Sequence, residues 1–283
     1  MSRKAFHSLS SVLAGSSSLG LDRLAPLTGV DLANVRLALS ASSQKLPVGS
    51  PSSEPPLSPS ATRHAAVLLG LCNMDERGPG LILTVRSLNM RTHPGEISFP
   101  GGHQDPGTDQ SLLGTALREA HEEIGLIPSQ LEYLGSLEPL VSNSGPTLVW
   151  PFVVFVHSLE PASKSARVVG STPMIPRPMS KLTLEPLRSP GLDDLHGKHQ
   201  LAEVELVFQI SLTALLEPDR QRSSYFRNDP GRPYIEWNVQ PEISSVRNTT
   251  RMQLPEHSSN SSYKLWGLTG WLVQLRISLS FST

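Results

Sequence analysis

Residues 91 to 126 read RTHPGEISFPGGHQDPGTDQSLLGTALREAHEEIGL, and this stretch decides the fold. Its first half is crowded with glycines and prolines, whereas its second half, from Ser111, has apolar side chains at helical spacing and ends at Gly125. An apolar segment, EISFP, precedes the pair Gly101 and Gly102. The pattern predicts a strand–loop–helix unit whose glycines let the backbone approach a ligand or metal closely.

The predicted helix carries three acidic side chains, Glu119, Glu122 and Glu123, spaced i, i+3, i+4. Their carboxylates should therefore emerge from one side of the helix within about one turn. Like charges at this spacing repel one another, and Arg118 is the only basic neighbour. A solvated acidic face is the simpler alternative. The adjoining glycine pair favours a metal site, because hard cations such as Mg²⁺ prefer oxygen ligands.

These residues resemble the Nudix box, whose general pattern is a Gly, five residues, a Glu, seven residues, and then Arg-Glu-aliphatic-x-Glu-Glu-x-Gly-aliphatic. The segment REAHEEIGL matches the second half. The first half departs from the pattern, because the loop after Gly102 is two residues longer than in the box. The position where the box has its first Glu falls near Thr108 and Asp109. The resemblance implies Mg²⁺ or Mn²⁺ as cofactor and an α/β (α+β) fold, a Nudix-type α/β/α sandwich with a mixed sheet.

Upstream of the box, residues 81 to 102 read LILTVRSLNMRTHPGEISFPGG. This segment is similar to the extended motif of the coenzyme A diphosphatase branch, Leu-Leu-Thr-x-Arg-Ser-x-x-Leu-Arg-x-His-x-Gly-Glu-Val-x-Phe-Pro-Gly-Gly. The segments AEVELVF and YKLWGLTGWLV resemble later parts of that branch. The resemblance implies hydrolysis of coenzyme A or acyl-coenzyme A to 3′,5′-ADP and 4′-phosphopantetheine or its acylated form.

The resemblance also implies roles for single residues. Glu119, Glu122 and Glu123 would hold the metal, with a backbone carbonyl of Gly101 or Gly102 as an extra ligand, and would be catalytic. Arg86 and Arg91 are basic groups available to the phosphates, although each could also be an exposed strand arginine or a partner of Glu96. The general base is either a box glutamate or Glu203, in LAEVELVF.

Two other functions stay open at this point. The protein could be a Nudix hydrolase of another nucleoside diphosphate derivative, such as ADP-ribose or a dinucleotide. It could also be a catalytically silent Nudix binding domain, although all three acids of the box are present.

The domain organisation follows from composition along the chain. Apolar spacing predicts a helix around residues 29 to 40, and alternating or continuous apolar runs predict strands in HAAVLLGLCNM, LILTVRS, TLVWPFVVFVHS, EVELVFQISL and PYIEWNV. The predicted units are a Ser/Pro-rich N-terminal extension (1–61), a Nudix domain (62–275) with insertions near 157–200 and 240–262, and a C-terminal tail (276–283).

The formal net charge of −1 gives no electrostatic case for a nucleic-acid partner, and no apolar run is long enough to span a bilayer. The single cysteine, Cys72, lies in an apolar run and is expected to be a buried strand residue. The Ser-rich, basic N-terminus suits either a transit peptide or a tail without structure. We therefore expect an intracellular protein, mitochondrial or else peroxisomal or cytosolic. The sequence leaves its oligomeric state open.

Overall fold

The structure is a computed structural model that describes residues 24–43, 63–142, 146–159, 179–196, 200, 202–225, 233–250 and 263–277. The Ser-rich, basic N-terminus and residues 44–62 of the Ser/Pro-rich segment lie outside the described residues. So do parts of both predicted insertions and the C-terminal tail. Within the described residues, no helix combines the length and apolar character needed to cross a membrane.

The regular elements follow one another in chain order. They are α1 (Gly29–Ser43), β1 (Arg63–Met74), β2 (Gly78–Arg86), β3 (Ile97–Ser98), β4 (Gly101–His103), α2 (Leu112–Ile124), β5 (Leu131–Ser136), β6 (Leu140–Val141), β7 (Thr147–Val156), α3 (Leu192–His196), β8 (Val204–Ser211), α4 (Leu212–Leu216), β9 (Gln221–Tyr225), β10 (Pro233–Asn238), α5 (Gln240–Thr250), β11 (Lys264–Leu265) and α6 (Gly267–Ile277).

A mixed sheet forms the centre of the molecule. The order β3-β2-β1-β7-β5 is extended by β4 beside β1, β6 beside β7 and β8 beside β2. Strands β1 and β2 form the predicted antiparallel hairpin, whereas β1 and β7 run parallel. The two central strands, β1 and β7, are buried on both faces, which explains their nearly continuous apolar sequences.

Helices cover both faces of this sheet, so the predicted α/β/α sandwich is confirmed. Helix α2 buries its apolar stripe against one face, where Ala116, Leu117 and Ala120 are fully enclosed. The opposite face receives α1, α5 and α6 in a second apolar cluster that includes Leu32 and Phe155. The buried carboxyl end of α2 is thereby held on one face of the sheet.

The helix predicted over 29 to 40 is present as α1, and it belongs to the core rather than to a separate extension. The buried carboxylate of Glu132 accepts hydrogen bonds from Arg36 in α1, from His157 after β7 (2.6 Å) and from the backbone N–H of Ser180 (2.8 Å). Asn73 makes a second junction by bonding both backbone groups of Leu27. We call the Glu132 junction the clasp.

The predicted insertion at 240 to 262 begins with a helix, α5. The segment QPEISSVRNTT is rich in Ser, Thr and Asn, which favour loops by competing for backbone hydrogen bonds. Val239, Ile243 and Val246 nevertheless recur at helical spacing and are buried. Their packing overrides the weak local propensity.

Two further segments, near the C-terminus and in the first insertion, form regular elements. The segment YKLWGLTGWLV begins with a strand and not with a helix, because Lys264–Leu265 is strand β11 and the helix begins at Gly267. Strand β11 completes a small sheet, β11-β10-β9, that the sequence did not suggest. In the first insertion, residues 179–196 include α3, where Leu195 is buried in the core.

Candidate metal centre

Helix α2 begins and ends where its sequence predicts. Ser111 caps the first turn, with its Oγ accepting a hydrogen bond from the Gly114 N–H at 3.0 Å. Gly125 ends the helix in the left-handed conformation, at φ 68°, where a residue with a Cβ would be strained. These two signals fix the position of the acidic turn along the helix.

The glycine pair lets strand β4 lie against both β1 and α2. A Cβ added to Gly101 would come within 2.3 Å of the Ala66 carbonyl oxygen, and Gly101 also has φ 156°. A Cβ added to Gly102 would come within 2.4 Å of the Glu119 carboxylate. Any larger residue at Gly102 would therefore displace a carboxylate of the candidate site.

Three carboxylates converge beside this glycine pair. Glu119 and Glu123 of α2 and Glu203, which precedes β8, each place an oxygen within 4.8 Å of the others. Glu122 does not join them, because its side chain is 49% exposed and ion-paired with Arg118. The structure thus brings together two of the three predicted ligands and adds Glu203, which the sequence offered as a general base.

Arg118 organises the outer side of the cluster, as the sequence led us to expect. Its guanidinium contacts Asp109 at 2.8 Å, Glu119 at 2.9 Å and Glu122 at 2.8 Å. Although burial works against its charged form, hydrogen bonds from Arg118 and its neighbours hold the pKa of Asp109 below the usual value. Asp109 thus anchors Arg118 instead of pointing its carboxylate at the cluster.

The electrostatics of the cluster call for a cation. Burial raises the pKa of Glu123 to about 8, even though the Gly101 N–H donates to its Oε2 at 3.1 Å. Burial also raises the pKa of Glu119. Neighbouring carboxylates in a desolvated site resist ionising together unless a positive charge joins them. An all-oxygen donor set of this kind fits a hard divalent ion.

A β-bulge brings Arg86 and Glu203 to this site. The pairing of β2 with β8 shifts between Val85 and Arg86, so that Glu205 has no partner in the register. Beyond the bulge, the Ser87 N–H donates to the Glu203 carbonyl at 2.9 Å. The positive charge of Arg86 favours ionised Glu123, and its buried Nε has no hydrogen-bond partner in the part of the chain that the structure describes.

The other predicted substrate-binding arginine is placed differently. Arg91 is exposed on the turn between β2 and β3. In the same turn His93, at φ 55°, lies 3.0 Å from a Glu96 carboxylate oxygen, so both side chains hold the turn. Arg86 contacts Glu96 through the backbone, its N–H donating to the Glu96 carbonyl at 2.9 Å. Among the described residues, the Arg86 side chain therefore forms no ion pair with Glu96, and its Nε has no hydrogen-bond partner.

The chain matches the model of the NUDIX domain over residues 62–169. It is 46% identical over 214 residues to an uncharacterized Nudix hydrolase, NudL, of Escherichia coli, a match that covers 75% of this chain and 80% of the relative. It is 33% identical over 186 residues to a probable Nudix hydrolase of Schizosaccharomyces pombe, covering 65% of this chain and 52% of that protein.

Coverage of the relatives is uneven. The match spans only 42% of another uncharacterized Nudix hydrolase NudL, from an Enterobacter strain, so the chain covers about half the length of several curated relatives. Among solved structures, a Nudix hydrolase from Alicyclobacillus acidocaldarius matches with a TM-score of 0.32 and 15% identity, over 56% of this chain and 83% of that one.

Proposed function

The chain belongs to the Nudix hydrolase family, and we propose that it hydrolyses the diphosphate bond of coenzyme A or acyl-coenzyme A. The products would be 3′,5′-ADP and 4′-phosphopantetheine or its acylated form. The observation that carries the proposal is Arg86, whose buried Nε has no hydrogen-bond partner among the described residues, beside an all-oxygen carboxylate cluster. Arg86 lies within the segment that is similar to the coenzyme A diphosphatase motif.

In this proposal Glu119, Glu123 and Glu203 would hold Mg²⁺ or Mn²⁺, with Glu122 at the rim of the cluster. A bound divalent ion supplies charge neutralisation for the diphosphate and Lewis acidity for its cleavage. A backbone carbonyl of Gly101 or Gly102 stays a proposed additional ligand.

The side chains around the cluster have separate tasks. Arg86 would donate to a phosphate oxygen, since a guanidinium forms charge-assisted and often bidentate hydrogen bonds with phosphate. Arg118 fixes the direction of Glu119, and the Gly101 N–H fixes that of Glu123. Glu203 is the proposed general base for the attacking water, with a box glutamate as the alternative.

The first experiment is incubation of the purified protein with coenzyme A and Mg²⁺ or Mn²⁺, with chromatographic separation of the products. Glu123→Gln is the test variant. Glu138→Gln is its matched control, because Glu138 is exposed on the segment that follows β5. We expect metal-dependent release of 3′,5′-ADP that is lost in the first variant only.

A panel with ADP-ribose and a dinucleotide is run in parallel. Turnover of those compounds without turnover of coenzyme A would keep the metal chemistry and overturn the substrate. No turnover of any compound, combined with retained metal binding, would favour a silent binding domain.

A further inference from the structure

Arg247, in the last turn of α5, is a second guanidinium with an unsatisfied donor. Its Nη2 donates to the Tyr263 hydroxyl at 2.9 Å, and its Cζ lies 5.3 Å from the centre of the Tyr263 ring. Its Nε is buried and has no hydrogen-bond partner among the described residues. Within the part of the chain that the structure describes, no carboxylate forms an ion pair with Arg247.

Neither neighbour of this guanidinium neutralises it. Tyr263 offers a neutral hydroxyl and a ring face, and the end of α5 offers only the partial negative charge of a helix C-terminus. A partly desolvated cation with an unsatisfied donor is costly unless an anion completes its hydrogen bonds. Since Arg247 as a whole is only partly buried, an anion can reach it from solvent.

The partner of Arg247, Tyr263, belongs to the apolar cluster that also includes Ile97 and Phe99. Phe99 stands two residues before Gly101 of the glycine pair. Strand β11, which follows Tyr263, lies against β3. The charge of Glu205, at the bulge of β8, acts on the Tyr263 phenol.

Strand β8 therefore links the two guanidinium groups. Its residue Val204 pairs with Arg86, and the charge of the next residue, Glu205, acts on the Tyr263 phenol that Arg247 contacts. Helix α5, which carries Arg247, packs against the same strand. Two cationic groups, one beside the metal cluster and one on the helix that packs against β8, suit a ligand with two separated anionic groups.

We propose that Arg247 binds a phosphomonoester of the substrate, distinct from the diphosphate that Arg86 and the metal cluster engage. The inference rests on the proposed function, under which this group is the 3′-phosphate of coenzyme A. Arg247 is then a determinant of specificity, because dephospho-coenzyme A and ADP-ribose carry a diphosphate but no such phosphate.

The test is calorimetric binding of 3′,5′-ADP and of 5′-AMP, both in the presence of Mg²⁺. These ligands differ by the 3′-phosphate, and neither has a diphosphate to be cleaved. The wild type should bind 3′,5′-ADP more tightly, and Arg247→Gln should weaken that binding about ten-fold or more, the effect of losing charge-assisted hydrogen bonds. Binding of 5′-AMP should not change.

Two further variants separate charge from structure. Arg247→Lys keeps the charge and should retain part of the preference, which also tests the site if the glutamine variant unfolds. Arg222→Gln removes an exposed cation from the neighbouring small sheet and should leave the preference intact. Equal wild-type affinity for the two nucleotides, or parallel loss of both in Arg247→Gln, would overturn the inference.

Turnover separates this inference from the proposed function. If the wild type binds 3′,5′-ADP preferentially through Arg247 but cleaves no coenzyme A, the proposed function fails and the phosphate site stands. If it cleaves coenzyme A and dephospho-coenzyme A at a ratio that Arg247→Gln leaves unchanged, the phosphate site fails and the function stands. Inhibition by inorganic phosphate that is equal in wild type and Arg247→Gln would also count against the site.

Discussion

Glu123 and Glu132 are both buried glutamates, 4% and 0% exposed, yet their surroundings push them in opposite directions. Around Glu132, burial is outweighed by hydrogen bonds from His157, Ser180 and Arg36, and its pKa falls to about 2. Around Glu123, burial dominates and the pKa rises to about 8. The clasp supplies its own positive and polar partners, whereas the carboxylate cluster leaves room for a cation from outside.

The largest effect should come from removing a cluster carboxylate. Losing a residue that hydrogen-bonds to a metal ligand lowers activity or metal affinity about 10- to 100-fold. Losing a ligand itself should cost more, so Glu123→Gln should lower kcat at least about 100-fold. The folded state should not suffer, because the variant replaces a buried carboxyl that resists ionising with a neutral amide and keeps an acceptor for the Gly101 N–H. Steady-state kinetics and thermal unfolding measure both quantities. A variant with wild-type kcat would break the comparison.

The reverse pattern is expected at the clasp. Glu132→Ala leaves Arg36 and His157 without their shared partner, and losing one member of a buried ionic network costs about 3–5 kcal/mol. Urea unfolding gives the free energy, and Mn²⁺ titration of the folded protein should give wild-type affinity. If Glu132→Ala retains stability but loses metal affinity, then Glu132 serves the metal site and not the stability of the fold.

The contribution of the clasp to stability should depend on pH, because the pKa of Glu132 is lowered in the folded state. Its carboxyl has a folded pKa of about 2 against an ordinary value of 4.5, so the folded state favours the ionised form. The resulting stability is present above pH 4.5 and is lost as pH falls from there toward about 2. The free energy of unfolding, measured over this window for wild type and Glu132→Gln, should converge at the acid end. Parallel curves would contradict the assignment.

A subtler change sharpens the cluster side of the comparison. Gly102→Ala places a methyl group against the end of the Glu119 side chain, which can move, so metal affinity should fall about ten-fold while stability changes little. Gly191→Ala is the control, since a Cβ there meets nothing within 4 Å. Unchanged Mn²⁺ affinity in Gly102→Ala would mean that Glu119 is not a ligand.

The smallest expected signal is the reactivity of Cys72. The thiol is fully buried and burial raises its pKa to about 12, so native protein should resist thiol reagents at neutral pH. Glu132→Ala should accelerate labelling by populating opened states, whereas Glu123→Gln should not. Equal labelling rates in the two variants would show that the clasp does not limit opening of the core.

Local signals in the sequence sufficed for the metal helix. The ends of the helix are specified by Ser111 and Gly125, and its approach to the sheet by the glycine pair. Arg118 directly precedes Glu119, so an ion pair between Arg118 and the helix carboxylates is expected. The convergence of Glu203 on Glu119 could be predicted only through the family resemblance, since it depends on a bulge between distant strands. Glu122 lies outside the cluster because one Arg118 nitrogen, Nη1, donates to Glu122 while Nη2 donates to Glu119, and the sequence does not specify this arrangement.

Other parts of the fold gave weaker signals. Glu132 reads as a surface strand residue in LEYLGS, and nothing near it in sequence announces Arg36 or Ser180 as partners. Helix α5 carried a readable signal in the spacing of Val239, Ile243 and Val246, which its Ser, Thr and Asn content obscured. Tertiary packing decided both cases.

The clasp also bears on the order in which a growing chain folds. Helix α1 emerges from the ribosome early, but its fixed position needs Glu132, His157 and Ser180, which are synthesised much later. The central parallel pair is similarly delayed, because β1 must wait for β7. Nascent chains halted between β1 and β7 should therefore expose the apolar residues of both α1 and β1 and depend on chaperones. This exposure should end only when Ser180 has been added.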